Sequence, residues 1–268
     1  MQCFFRAPGG EGVDVMCEMS IFARMYQSLH CIALRRVRYA DGRSILSAWS
    51  AEAGRVAFAV SDGAGREAAR KRALLMPLSL FECVADTRPG RDVAVMRDLR
   101  PMAVAAGIAA DPAKGLVAMF VAEALDRVLR ESAPDAALTE FIFGSVRELD
   151  SSRRRYMAAN FPIVFLYHLG RYLGIAPDAG AWRPGRWFDM ASGRFADSTP
   201  LCDSDSILAP VEAALIPALD RLTAAKAARL PLPRALRRRA LEAILRYYSL
   251  HHTPMDSLRS LAVVSDVF

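Results

Sequence analysis

The sequence predicts an α+β chain in which a small five-stranded barrel precedes a helical domain. Three observations carry that prediction. Between residues 25 and 100, five short runs of alternating or β-branched character are separated by Gly-, Asp- and Pro-containing turn signals. After Pro101 the apolar residues fall on a 3.6-residue period instead. Positive charge gathers in the strand-rich part, with 13 Lys+Arg against 8 Asp+Glu over residues 25–104, compared with 20 against 18 over residues 105–268.

Residues 1–24 contain Pro8-Gly9-Gly10 and no sustained period, and read as an extension or as an over-called start, with Met19 or Met25 the natural beginning. Residues 29–39 (LHCIALRRVRY) form the first strand, and Asp41-Gly42 is a strong turn signal. Residues 43–50 (RSILSAWS) answer as the second strand. Glu52-Ala53-Gly54 turns the chain into a third over residues 55–61 (RVAFAVS). Asp62-Gly63-Ala64-Gly65 ends that strand and precedes a short basic helix over residues 66–75. Residues 78–87 (LSLFECVADT) and 92–99 (DVAVMRDL), separated by Arg88-Pro89-Gly90, are the fourth and fifth strands. Five strands with a helix between the third and fourth is the order of an OB-fold, assigned to residues 25–104.

Residues 105–268 read as helical. A helix over 114–131 presents Leu116, Met119, Phe120, Ala124 and Val128 on one face. Helices over 137–151 and 160–173 follow; the second is apolar almost all round and is expected at the centre of the domain, closed by Gly174. Residues 179–202 are rich in Gly and Pro, with room for one hairpin near 187–195, and two or three helices finish the chain, the clearest over 233–250.

Composition excludes several classes. A hydrophobic fraction of 53% and a charged fraction of 24% fit a folded protein. No apolar run reaches the roughly 18 residues that span a bilayer. Glu11, Asp14 and Glu18 do not fit a signal peptide. The five cysteines, Cys3, Cys17, Cys31, Cys83 and Cys202, are scattered singly, which argues for a reducing compartment and against a disulfide framework. The expected location is the cytoplasm. The net charge of +6 favours a polyanionic partner. Lysine occurs only at Lys71, Lys114 and Lys226. The codon bias of a GC-rich genome accounts for that dominance of arginine as well as selection for guanidinium chemistry does.

Several separated segments together resemble the bacterial RecO family of recombination and repair proteins. They are Ile32-Ala33-Leu34 with residues 38–46 (RYADGRSIL), Gly54-Arg55 leading to 66–72, and residues 78–82 (LSLFE) with a fifth strand ending at Arg100. Residues 161–174 (FPIVFLYHLGRYLG), 187–189 (WFD) and 193–195 (GRF) follow, then 247–251 (YYSLH) and the terminal 260–268. The resemblance runs from about residue 26 to the end. It implies an amino-terminal OB-fold and a helical carboxy-terminal domain. It also implies binding of single- and double-stranded DNA, annealing of complementary strands, and work with RecR that helps RecA displace single-stranded DNA-binding protein (SSB). The family docks the acidic, Phe-ended SSB tail in its helical domain. Many members carry a four-cysteine zinc finger in the segment matching 176–205, where this chain has only Cys202. Tetrahedral zinc needs about four N/S ligands, so no metal and no other cofactor is expected.

The basic helix supplies the first DNA-contact residues, Arg66, Arg70, Lys71 and Arg72; Arg66 and Arg70 share a face at i, i+4. Arg36 and Arg38 alternate along the first strand and project from one side of the sheet, suited to backbone contacts. For each of these the competing reading is a solvated polar face. Tyr39 and Trp49 are of a type that stacks on bases, although an aromatic in a small barrel is more often core. The runs Arg153-Arg154-Arg155 and Arg237-Arg238-Arg239 extend a DNA track if they lie beside the barrel, and are otherwise solvated. Arg171 and Tyr172 are assigned to the rim of an SSB-tail pocket, against the simpler reading of an arginine snorkelling from a core helix. His251-His252 lacks partners at ligand spacing, Cys202 beside Asp203 and Asp205 lacks a positioned histidine, and no Walker-type loop is present. The expectation is a DNA-handling protein with no catalytic residues. The alternatives are an OB-fold protein-interaction module without a direct DNA role, and last a hydrolase or nuclease.

Overall fold

A computed structural model describes residues 26–86, 92–103, 105–130, 132–201 and 203–264. The amino-terminal extension, the Arg88-Pro89-Gly90 turn, Cys202 and residues 265–268 lie outside the described residues.

Strands β1 (Gln27–Ala40), β2 (Arg43–Ser50) and β3 (Gly54–Ser61) form an antiparallel meander. Helix α1 (Arg66–Leu74) links β3 to β4 (Leu80–Ala85), and β5 (Ala94–Pro101) completes a closed barrel of order β1-β2-β3-β5-β4. β3 and β5 pair in parallel; the other pairs are antiparallel. The OB-fold order expected from the sequence is the order found. Two strand ends move for local reasons. Leu78 has φ 62 and Asp98 φ 49, the left-handed region that non-glycine residues rarely adopt. The first delays β4 until Leu80. The second lies in a bulge of β5, where the register slips between Glu82 and Val84, and the strand runs on to Pro101.

The barrel has its own core, with Leu29, Cys31, Leu46, Phe58, Phe81 and Cys83 on its inner face. The opposite face of the same strands joins the helices. Ile32, Leu34, Trp49, Leu78 and Leu80 belong to one continuous apolar cluster with the helical residues.

That helical part begins with α2 (Ala106–Ala110) and α3 (Pro112–Val128), the latter capped by the Asp111 carboxylate. α4 (Ala136–Ser151), capped by Asp135, and α5 (Met157–Tyr172) follow. The face predicted for α3 is only partly right. Phe120, Ala124 and Val128 are buried, but Met119 is 50% exposed and Leu116 half-buried, while Val117, Val121 and Leu125 are fully buried. The helix is gripped by both β1 and α5, so its buried side is wider than one stripe and is turned toward Val117.

α5 is the central helix, as expected, and packs against α3, α4 and the long helix Arg234–His251. Its end is a Schellman closure. Gly174 takes φ +71, its N–H bonds to the Arg171 carbonyl, and the Ile175 N–H bonds to that of Gly170. The hairpin β6 (Trp187–Asp189) and β7 (Arg194–Ala196) is extended by β8 (Ile207–Leu208). Three short helices, α6 (Pro210–Ala213), α7 (Leu215–Asp220) and α8 (Ala224–Ala227), lead to α9 (Arg234–His251) and α10 (Leu261–Val264). Tyr248 of α9 is buried and donates to the Leu166 carbonyl at 2.7 Å. No described helix is long and apolar enough to cross a membrane.

Candidate nucleic-acid interface

α1 buries none of its residues, so its basic side chains are free of core packing. Arg66 stands exposed at its start. Lys71 lies 3.7 Å from Glu67, and Arg72 donates to the Gly63 carbonyl at 2.9 Å. The helix lies between two basic sites. On one side Arg70 and Lys71 face Arg97 of β5 across a groove floored by Val60, Leu74 and Met96. Arg97 also stacks over the Tyr26 ring, 4.7 Å from its centroid. On the other side Arg72 joins Arg36 and Arg38 around a pocket completed by Ser44 and Asp62.

Arg36 and Arg38 do share one side of β1, and register shows which. Arg36 is opposite Leu46 and Arg38 opposite Ser44. Directly opposed residues project to the same side of a sheet. Leu46 fills the barrel, so the two arginines close its end and do not lie on its outer face. Asp62 pairs with Arg36 and accepts a bond from the Ser44 hydroxyl. Burial, then the positive charges of Arg72 and Arg38, lower the Arg36 pKa from the ordinary arginine value.

The outer face of strands β1, β2, β3 and β5 carries something else. Val37 is opposite Ile45, Ile45 opposite Ala59, and Ala59 opposite Val95. This apolar row crosses four strands, with Val37 44% and Val95 54% exposed. Tyr39 is exposed as well. Trp49 is fully buried where the barrel meets the helices, and its indole N–H donates to Thr139 Oγ1 at 2.9 Å.

Of the arginine runs, Arg153-Arg154-Arg155 is exposed, with Arg155 over the Tyr156 ring. The other is bound up in structure: Arg237 donates to the Leu232 carbonyl, Arg238 pairs with Glu242, and Arg239 with Glu212 at 2.6 Å. Arg171 pairs with Asp220, and Tyr172 stacks on Phe141 with centroids 4.7 Å apart. Both border a groove between α4 and α5 that also contains Phe161, Phe165, His168 and Glu148. The histidine pair is structural. His251 Nε2 donates to the Met190 carbonyl and His252 Nε2 to that of Val128.

The hairpin that matches the zinc-bearing segment does not fit that metal, because residues 176–205 supply one cysteine and no histidine. Apolar packing holds it instead. Phe188 is buried against Phe195 and Tyr247, and Asp189 binds the Ala191 N–H and the Ser192 hydroxyl.

Sequence reasoning missed Arg97 and Asp62. The first is one of many arginines until register sets it across from α1. The second reads as part of a turn, and only the pairing of β1, β2 and β3 brings it to Arg36, 26 residues away.

No family model matches the chain. It is 34% identical over 244 residues to the DNA repair protein RecO of Phocaeicola vulgatus, covering 91% of this chain and all of that protein. It is 32% identical over the same length to DNA repair protein RecO of Bacteroides fragilis. To that of Porphyromonas gingivalis it is 30% identical over 242 residues, covering 88% of this chain and 97% of the relative.

Proposed function

The chain belongs to the RecO family of DNA repair proteins, and we propose that it serves DNA repair and recombination as a non-enzymatic mediator. In this reading it binds single- and double-stranded DNA, anneals complementary strands and, with RecR, helps RecA load on SSB-coated DNA. The observation that carries the reading is the gathering of Arg36, Arg38 and Arg72 on one side of α1 and Arg70, Lys71 and Arg97 on the other.

The mechanism is electrostatic. Guanidinium groups hold phosphates by charge-assisted, often bidentate hydrogen bonds. Neutralising two strands at once lowers their mutual repulsion and lets bases pair. Contacts to about four to six phosphates of single strands give a slope of log affinity against log salt of about −3 to −4. The reading requires no nucleophile, metal or nucleotide. The acidic SSB tail is assigned to the α4–α5 groove, with Phe141 and Tyr172 receiving its terminal ring and Arg171 exchanging Asp220 for the incoming carboxylate.

The test is annealing of two complementary oligonucleotides coated with the cognate SSB, without ATP. Stoichiometric protein is expected to accelerate it. Replacing Arg70, Lys71 and Arg72 together by Ala is expected to slow annealing and flatten the salt slope by about 2, at about 0.7 per phosphate lost. An unchanged rate and slope in that variant would remove α1 from the interface. One observation favours the second reading, a barrel that binds protein and not DNA: the apolar row Val37, Ile45, Ala59 and Val95, exposed at all but the half-buried Ile45. Nucleic-acid affinity no greater than that of any basic protein of similar charge would select it.

A further inference from the structure

We propose that Arg36, Arg38 and Arg72 form one seat for a single phosphate group of a nucleic-acid strand, and that Asp62 is the positioning residue that holds its innermost guanidinium. The inference rests on the DNA-binding reading above and adds to it a particular site and a residue of the wrong charge for an electrostatic track.

Three separate segments converge here: β1 with two arginines on one side of the strand, the end of α1 with Arg72, and the residue just after β3, Asp62. Asp62 is fixed on several sides. Its backbone N–H donates to the Gly42 carbonyl at 2.7 Å, and its carboxylate accepts from Ser44 and Arg36. Its side chain is only 10% exposed, and the Arg38 Nε lies 3.8 Å away. This leaves Arg36 held with 21% of its side chain exposed, while Arg38, at 88%, stands mostly in solvent and meets Asp62 only through the longer pair. Arg72 is tethered through one Nη to the Gly63 carbonyl, which leaves its other donors for a ligand.

The pocket carries an excess of positive charge. Three guanidinium groups and one carboxylate line the pocket, with Ser44 its remaining member. A partly buried arginine beside two others is the arrangement that an anion relieves, in keeping with the direction in which Arg36 is displaced. A phosphate suits the gap because it accepts from several planar forks at once. Asp62 cannot contact that phosphate favourably; its contribution is orientation.

Orientation and charge predict opposite signs, which makes the idea testable. Asp62→Asn raises the net charge by one, so a purely additive track predicts tighter binding of a single-stranded oligonucleotide. The seat predicts weaker binding, by about 3- to 10-fold at low salt, and a salt slope flattened by about 0.7, the share of one phosphate. Asp62→Glu is expected to recover part of the loss. Binding by Asp62→Asn that is equal or tighter, with an unflattened slope, overturns the positioning role. Arg38→Ala and Arg72→Ala guard against a variant that fails to fold, since both side chains are exposed. If they share one phosphate, the double variant loses less affinity than the sum of the two singles; full additivity overturns the seat. Arg70→Ala with Lys71→Ala separates the two levels. Loss of affinity there, with no effect at Asp62, leaves DNA binding standing and removes the seat, whereas no loss in any variant removes both.

Discussion

Glu52, beyond the end of β2, shows how one carboxylate couples a turn to a strand. It accepts the His30 backbone N–H at 2.9 Å, the His30 ring and the Ser50 hydroxyl. Burial raises its pKa, but the hydrogen bonds from His30 and Ser50 outweigh this and leave it below the ordinary carboxylate value. A carboxylate displaced downward on folding stabilises the fold above its unfolded pKa of about 4.3, and that contribution is lost as pH falls through the folded value. In Glu123, burial is outweighed by bonds from Ser260 and Arg259, and Glu212 accepts from Arg239; both move the same way. The melting temperature is therefore expected to fall between about pH 5 and pH 3, and to fall less steeply in Glu52→Gln. Melting curves of the two proteins across that range decide it, and coincident pH profiles would refute the role given to Glu52. None of this was visible in the sequence, where Glu52 is one residue of a turn. Its partner His30 reaches it only through the pairing of β1 with β2.

At the scale of elements, local chemistry explains where several begin and end. α1 follows a run of turn residues, β2 occupies the predicted residues 43–50, and α5 stops at the glycine that takes a positive φ. The β6–β7 hairpin stands apart because apolar packing holds it, with no cluster of metal-ligating side chains among the described residues. Phe188 lies between Phe195 and Tyr247, beneath α9. Truncating a buried phenylalanine costs about 3–5 kcal/mol, a large share of a typical domain's stability. Phe188→Ala is thus expected to lower the melting temperature markedly, whereas EDTA is expected to leave the unaltered protein unchanged. A melting temperature that drops with chelator and returns with zinc would show that a metal holds the hairpin after all.

Across the whole molecule, the barrel and the helices are joined by more than a linker. Trp49 donates to Thr139 of α4, and Arg55 pairs with Asp126 of α3 at 2.8 Å. Gly54, at φ +68, brings its turn so close to the α3–α4 loop that a Cβ there would lie 3.0 Å from the Pro134 nitrogen. With Ile32, Leu34, Leu78 and Leu80 sharing the helical core, neither part can lose its packing without exposing the other. Calorimetry is expected to give a single unfolding transition, with calorimetric and van't Hoff enthalpies in agreement. Two resolved transitions would mean that the shared core is too small to couple the parts.

The amino-acid sequence by itself determined the order of the barrel strands and the long helices, because strand alternation, helical period and turn residues act over a few neighbours; strand β8 and the short helices α2, α6, α7 and α8 emerge only from packing. It also determined the family, the basic character of the barrel, and the six arginine and lysine positions around α1 and β1. Only the tertiary structure decided which side of the sheet Arg36 and Arg38 occupy, that Arg97 faces Arg70, that Asp62 holds Arg36, and that Val117 and not Met119 faces the core. Each of these depends on register and on packing between segments far apart in the chain. Inward and outward sides alternate every residue along a strand, and a one-residue bulge exchanges them; pairing with a distant strand is what sets the side.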